Sequence, residues 1–204
     1  IQAIHSEFYQ HVPESLRALK NERGELIDHV MPGTWRSRQV SVGKHIPPAP
    51  EDLSELMRQF FDAYNPSRYS GDKKIIAVMC AHHRLAWLHP FADGNGRVGR
   101  LFTDAALKAI GMESTGVWCL SRGLARTSDR YKQLLERADF PRQGDLDGRG
   151  ALSQKNLMEF CEYMLDTALD QVHYMSDLLK LDKMHARITS YIQARNDNRV
   201  RGMG

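Results

Sequence analysis

The chain has little of what would place it outside the ordinary globular class. It contains no apolar run near the roughly 18 residues that span a bilayer, no internal repeat and no low-complexity tract, so a membrane-inserted protein is not expected. Excess charge of one sign is equally scarce. The formal net charge is only +3, whereas a surface that tracks a phosphate backbone needs clustered Lys and Arg, so nucleic acid is not the expected partner. Cysteine is rare too. Cys80, Cys119 and Cys161 are odd in number, far apart and set in helical or apolar surroundings. They read as buried free thiols in a reducing, cytoplasmic compartment rather than as a disulfide framework or metal cluster. No Met and no signal peptide precede Ile1, so the expectation is a piece of a longer chain, and the basic stretch Arg195 to Arg201 reads as a frayed, solvated end.

What is present is a chain of 204 residues, 42% hydrophobic and 26% charged, which fits one soluble domain. That domain is expected to span 1–204, with a core over about 4–140 and C-terminal helices over about 153–194. Helical periodicity dominates. Leu53, Leu56, Met57, Phe60 and Phe61 recur at spacings of three and four within Glu51 to Tyr64. From Asp72 to Leu88 a second stripe runs through Ile75, Val78, Met79, His82, Leu85 and Ala86, and it must stop near His89 because Pro90 disfavours helical geometry in the residue before it. A third helix is expected from Asn95 to Ile110, ending at Gly111, with Val98, Leu101, Phe102, Ala105 and Ala109 buried. Further helices are expected over Ser121 to Arg137 and over Gln154 to about Ala194, the latter interrupted or bent. The glycine-rich stretch Phe140 to Leu152 reads as a loop. Its DLDGRG resembles the start of a calcium loop, but Arg149 and Asn156 stand where ligating acids belong. Thr34 to Pro48, where Val40 and Val42 alternate with polar residues, reads as a short β-hairpin or extended flap.

Chemistry concentrates in HPFADGNGRVGR, His89 to Arg100. A loop feeding a helix at Gly94 to Arg97 offers unpaired backbone N–H groups, aligned peptide dipoles and two positions without a Cβ, which together form an anion hole. Arg97 and Arg100 sit in the first turns, where the dipole disfavours cations by roughly 0.3–1 kcal/mol each, and a bound anion removes that conflict. On a helical wheel Arg97, Arg100 and Asp104 fall together, so two forked donors can face one cleft, as suits a polyphosphate. Asp93 is a hard oxygen ligand placed to share Mg²⁺ with phosphate oxygens, which makes a nucleotide triphosphate with Mg²⁺ the economical ligand. His89, with a reference pKa near 6.5, suits a general base. Pro90 and Phe91 read as scaffold, the one ending a helix and the other burying its ring beneath the loop. From these residues alone, an ordinary helix–turn–helix corner stays open beside the phosphate site. His82 reads as a core histidine, Lys44 and His45 as solvated loop residues, and Tyr131 as a core residue more readily than a nucleotide platform.

The same string resembles the signature of the Fic (filamentation induced by cAMP) domain family, H-x-F-x-[D/E]-G-N-G-R-x-x-R, at His89, Phe91, Asp93, Gly94, Asn95, Gly96, Arg97 and Arg100. The resemblance extends from about Ile4 to Tyr191 and implies an all-α fold, a Fic-type helical bundle with a small β-hairpin flap. It implies an enzyme that moves AMP from ATP to a Ser, Thr or Tyr hydroxyl of a target protein and releases pyrophosphate. His89 would take the hydroxyl proton and Asp93 would hold Mg²⁺. The Gly94 to Gly96 backbone with Asn95 would cradle phosphates, Arg97 would steady the β-phosphate and Arg100 would reach the γ-phosphate. Tyr131 is a weaker nucleotide-binding candidate.

The flap residues Val40, Ser41, Val42, Gly43, Lys44 and His45 would align a target peptide by strand addition. Gly96, a bulky Lys in the family's phosphorylating toxins, keeps space for nucleotidyl transfer. The alternatives are a nucleotide-binding regulatory module with little turnover, or transfer of another phosphate-containing group. The family's inhibitory motif, [S/T]-x-x-x-E-[G/N], is missing from the chain, so the expected inhibitor is a segment of the N-terminal flank or a separate antitoxin protein, the flank being favoured. A homo-oligomer is left open.

Overall fold

The computed structural model describes residues 1–21, 23–112 and 118–197. Within them run eight α-helices and one two-stranded ribbon. In chain order these are α1 (Gln2–Gln10), β1 (Ala18–Lys20), β2 (Leu26–His29), α2 (Leu53–Ala63), α3 (Lys73–Leu88), α4 (Asn95–Ala109), α5 (Leu120–Arg126), α6 (Ser128–Ala138), α7 (Gln154–Leu178) and α8 (Leu181–Asn196). The fold is all-α apart from that ribbon, as the resemblance implies. None of the described helices is long and apolar enough to cross a membrane.

α3 is the central element because its sequence is apolar on two faces. Val78 and Met79 join Leu107 of α4, Leu120 and Leu124 of α5, Leu134 of α6 and Phe160 and Met164 of α7 in one core. Ala81, Leu85 and Leu88 pack instead with Met57 and Phe60 of α2 in a second. Each fully buried Leu, Met or Phe contributes about 1.5–3 kcal/mol, so α3 is fixed from both sides, and so is whatever its C-terminus carries. α7 meets α5 closely at Gly123, where a methyl group would sit 2.5 Å from Thr167 Cγ2.

Several elements depart from the sequence expectation. The segment expected as one helix over Ser121 to Arg137 is two, broken at Thr127 (φ −121°, ψ 36°). There the Thr127 hydroxyl turns back to the Gly123 carbonyl at 3.1 Å and meets Tyr163 Oη at 2.6 Å, so a local side-chain bond competes with the helix ladder. The long C-terminal helix is interrupted at Leu179 and Lys180, in line with its expected break. The antiparallel ribbon lies at 18–29 and not in the flap, where Val42 and His45 form a single bridge around Gly43 and Lys44. The buried face of α4 also differs. Val98 is buried, but Leu101 is 47% exposed and Ala105 and Ala109 face outward, while Asn95, Gly99, Thr103 and Leu107 turn inward. Polar contacts to His82 rotate the helix away from its most apolar stripe. Cys119, expected buried, is exposed. The basic tail from 198 onward lies outside the described residues.

Candidate active site

The site forms where α3 ends and α4 begins. His89 caps α3 in the left-handed region (φ 46°), the one non-glycine residue among those described with positive φ. Pro90 forbids another helical turn, and a non-glycine residue held this way stores about 1–3 kcal/mol. Arg36, only 4% exposed, secures the geometry. Its Nε donates to the His89 carbonyl at 2.8 Å and its backbone N–H to the Pro90 carbonyl at 2.8 Å. The other two guanidinium nitrogens reach the carbonyls of Arg38 at 3.0 Å and Pro48 at 2.5 Å, which ties the flap to the motif.

The His89 imidazole lies beside the Ala86 carbonyl, which favours its protonated form. Burial, reinforced by the neighbouring Arg36 and His45 against the opposing pull of that carbonyl and of Asp93, lowers its pKa to about 4. The ring is therefore neutral near pH 7, the form a base requires.

α4 opens at Gly94, which is left-handed (φ 81°), with no side-chain cap and no acid in the first turn. Its first N–H groups are thus free of a capping side chain, and Gly96 is exposed with only Arg100 Nη1 near a would-be Cβ, at 3.5 Å. Asn95 holds the loop rather than the opening. Its Oδ1 accepts from Phe91 N–H at 2.9 Å and its Nδ2 donates to the Phe91 carbonyl at 2.8 Å. Phe91 is fully buried.

α1, which the sequence reading passed over, supplies the other wall. Tyr9 Oη donates to Asp93 Oδ2 at 2.5 Å, and Arg97 Nη2 donates to Tyr9 Oη at 2.8 Å and to Asp93 Oδ2 at 2.9 Å. Burial works to raise the Asp93 pKa. The bonds from Tyr9 and from the Gly94 N–H, together with the Arg97 charge, outweigh it, so the carboxylate stays ionised. Tyr9 also dictates the glycine beside it, since a Cβ on Gly94 would lie 2.7 Å from Tyr9 Cε2. Beneath Tyr9, His5 stacks on Phe91 with centroids 3.9 Å apart. His5 Nδ1 accepts the Gly33 N–H at 2.9 Å, so its Nε2 carries the hydrogen and donates to the Asp93 carbonyl at 3.2 Å. The i, i+4 pair His5 and Tyr9, and a Trp-Arg preceding the flap, were the available signals for this wall.

The two motif arginines diverge. Arg97 lies over the Phe8 ring, 4.6 Å from its centroid, whereas Arg100 Nη1 lies beside Gly96, 3.5 Å from where a Cβ of that glycine would be. Among the described residues no carboxylate lies within ion-pair distance of Arg100. Asp104, which the helical wheel groups with the arginines, instead accepts from Leu120 N–H at 3.3 Å and Ser121 Oγ at 3.5 Å, joining α4 to α5. Tyr131 Oη lies 2.8 Å from His82 Nε2, and His82 Nδ1 lies 2.6 Å from Thr103 Oγ1. The flap is pinned as well. His45, expected in solvent, is largely covered: its Nε2 donates to the Trp87 carbonyl at 2.7 Å and its Nδ1 lies 3.8 Å from Asp139, while Lys44 reaches Glu136 at 3.9 Å.

The model of the Fic/DOC family matches residues 1–107, just over half of the chain and all of this site. This chain belongs to the Fic/DOC family. Proteins named protein adenylyltransferase Fic from Drosophila willistoni and Drosophila melanogaster are each 34% identical to it over 111 residues, 53% of the chain. The chain spans less than a quarter of their lengths, 22% and 23%. A Fic family protein from Desulfovibrio desulfuricans superposes with a TM-score of 0.62 at 21% identity, over 89% of the chain and 49% of that protein. A Fic domain containing signaling protein from Bacteroides thetaiotaomicron does so with a TM-score of 0.53 at 22% identity, over 73% of the chain and 56% of that protein. At these identities the two structures share its fold.

Proposed function

We propose that this Fic domain transfers AMP from ATP to a Ser, Thr or Tyr hydroxyl of a target protein. The observation that carries the reading is the meeting, in one loop, of a neutral imidazole and a helix N-terminus without a side-chain cap, left open at exposed Gly96. The curated relatives named as protein adenylyltransferases support it.

In the proposed reaction the target hydroxyl oxygen attacks the α-phosphorus of ATP. Its proton passes to a ring nitrogen of His89, the bond from the α-phosphorus to the bridging oxygen breaks, and pyrophosphate leaves. The 94–97 backbone receives phosphate oxygens at the positive end of α4, with Asn95 acting through its grip on Phe91. Arg97 steadies the β-phosphate and Arg100 reaches the γ-phosphate. Tyr131, with its hydroxyl beside His82, serves as scaffold near Arg100.

Asp93 fits a divalent cation, because its ionised carboxylate is half exposed at the mouth of the site and is oriented by Tyr9 and Arg97. It would hold Mg²⁺, which when bound neutralises phosphate charge. Across the site, the main-chain N–H and C=O of Ser41 have no hydrogen-bond partner among the described residues, so the Val40 to His45 flap can add a target strand without reading its side chains.

ATP labelled at the α-phosphate, incubated with the chain, Mg²⁺ and cell lysate, is expected to label protein beyond lysate alone, while ATP labelled at the γ-phosphate gives no more label than lysate alone. Label from the γ-phosphate in excess of lysate alone would establish phosphoryl transfer instead. Saturable ATP binding with no label transferred from either position would establish a binding module.

A further inference from the structure

Two of the three cysteines, 81 residues apart in sequence, meet in the fold. Cys80 Sγ of α3 and Cys161 Sγ of α7 lie 3.5 Å apart as free thiols. Both line a cavity of about 550 Å³ that the site described above does not use. Its walls are mostly apolar, with Trp87 and Leu157 among them, and its rim carries Ile76, 46% exposed, and Met158, 55% exposed, so a small solute can enter from solvent. Arg84, whose guanidinium lies 4.9 Å from the Trp87 ring centroid, borders the same space.

We propose that Cys80 and Cys161 form a reactive dithiol that a hydroperoxide entering this cavity oxidises to an intramolecular disulfide. Cys80 is the attacking group, because the hydrogen bond from Cys161 and the Arg84 charge stabilise its thiolate and outweigh burial. The Cys161 thiol, which that bond and burial hold protonated, resolves the intermediate.

In the first step the Cys80 thiolate attacks one peroxide oxygen and the O–O bond breaks. The other oxygen leaves as the alcohol or water after taking up a proton, and Cys80 becomes a sulfenic acid. In the second step Cys161 Sγ attacks the Cys80 sulfur, the S–O bond breaks, and the departing hydroxide takes the Cys161 proton to leave as water. Two thiols are oxidised by two electrons and one peroxide is reduced. Closing the present gap to the roughly 2.05 Å of a disulfide needs only a small approach of the two side chains, and the product links α3 to α7 covalently.

The test is to treat the folded chain with hydrogen peroxide, block remaining thiols with iodoacetamide and digest it for mass spectrometry without reduction. The expected product is a Cys80–Cys161 linked peptide lighter by two hydrogen atoms, lost on treatment with dithiothreitol. Exposed Cys119 serves as the internal comparison, recovered alkylated. In Cys161→Ser, Cys80 is expected to stop at sulfenic acid, trapped by dimedone. Recovery of Cys80 and Cys161 alkylated as fully as in untreated protein would overturn the proposal. So would over-oxidation of Cys80 with no linked peptide, or oxidation of Cys119 ahead of both.

Discussion

Arg36 is the residue on which the geometry of His89 depends. His89 sits in a backbone conformation that a side chain disfavours, and it stays there because Arg36 bonds its carbonyl and that of Pro90 while holding the flap through Arg38 and Pro48. Lysine keeps the charge but not the fork, and cannot satisfy the same set of acceptors. Arg36→Lys is therefore expected to cost about 1–3 kcal/mol in urea unfolding. Under the proposed activity it should also lower kcat by roughly ten- to a hundredfold with little change in KM for ATP, since a small misplacement of a reacting group is costly. A folded variant with undiminished kcat would contradict the bracketing role. None of this was legible in the motif. His89, Asp93 and the glycines announce themselves as a dense polar string at a helix end, but Arg36 and Tyr9 carry no local signal of their partners, which lie 53 and 84 residues away.

At the scale of elements, α3 carries buried His82 in its interior and His89 at its C-terminal cap. His82 is 2% exposed between Thr103 and Tyr131, and burial, reinforced by the neighbouring His83 and Arg100, lowers its pKa to about 3. His89 is lowered to about 4. Both values lie below the ordinary 6.5, so the unfolded chain binds more protons than the native one as pH falls. The stability these groups contribute is complete above pH 6.5 and declines as pH drops toward 4 and 3. The melting temperature of the chain is expected to fall across that window, and His82→Gln, though less stable at pH 7, should show a shallower dependence. An identical slope in the variant would exclude His82 as a contributor.

The helices α2, α3 and α4 were readable because apolar spacing, Pro90 and Gly111 mark them clearly. The division into α5 and α6 was not, because Thr127 breaks the helix through Tyr163, a partner on α7. The orientation of α4 was missed for a related reason. Polar contacts of His82 with Thr103 draw inward a face that hydrophobicity alone leaves outside.

For the whole molecule, the two apolar clusters on either side of α3 make His89 and the N-terminus of α4 parts of one rigid frame, to which α1 is joined by hydrogen bonds and the His5–Phe91 stack and the flap by hydrogen bonds. Fold class followed from the helical periodicity, and the candidate site was legible as a motif because its residues lie in one contiguous stretch. The α1 wall and the pairing of Cys80 with Cys161 were not, because they exist only after distant segments pack. Under the proposed function this frame presents a neutral imidazole to the hydroxyl that attacks ATP. The most direct measurement is the rate of α-phosphate label transfer to protein by the chain and by His89→Ala, with ATP binding measured in parallel. Transfer is expected to fall by roughly a hundredfold or more in His89→Ala, with ATP affinity nearly kept. Transfer that continues undiminished in His89→Ala would contradict the proposal.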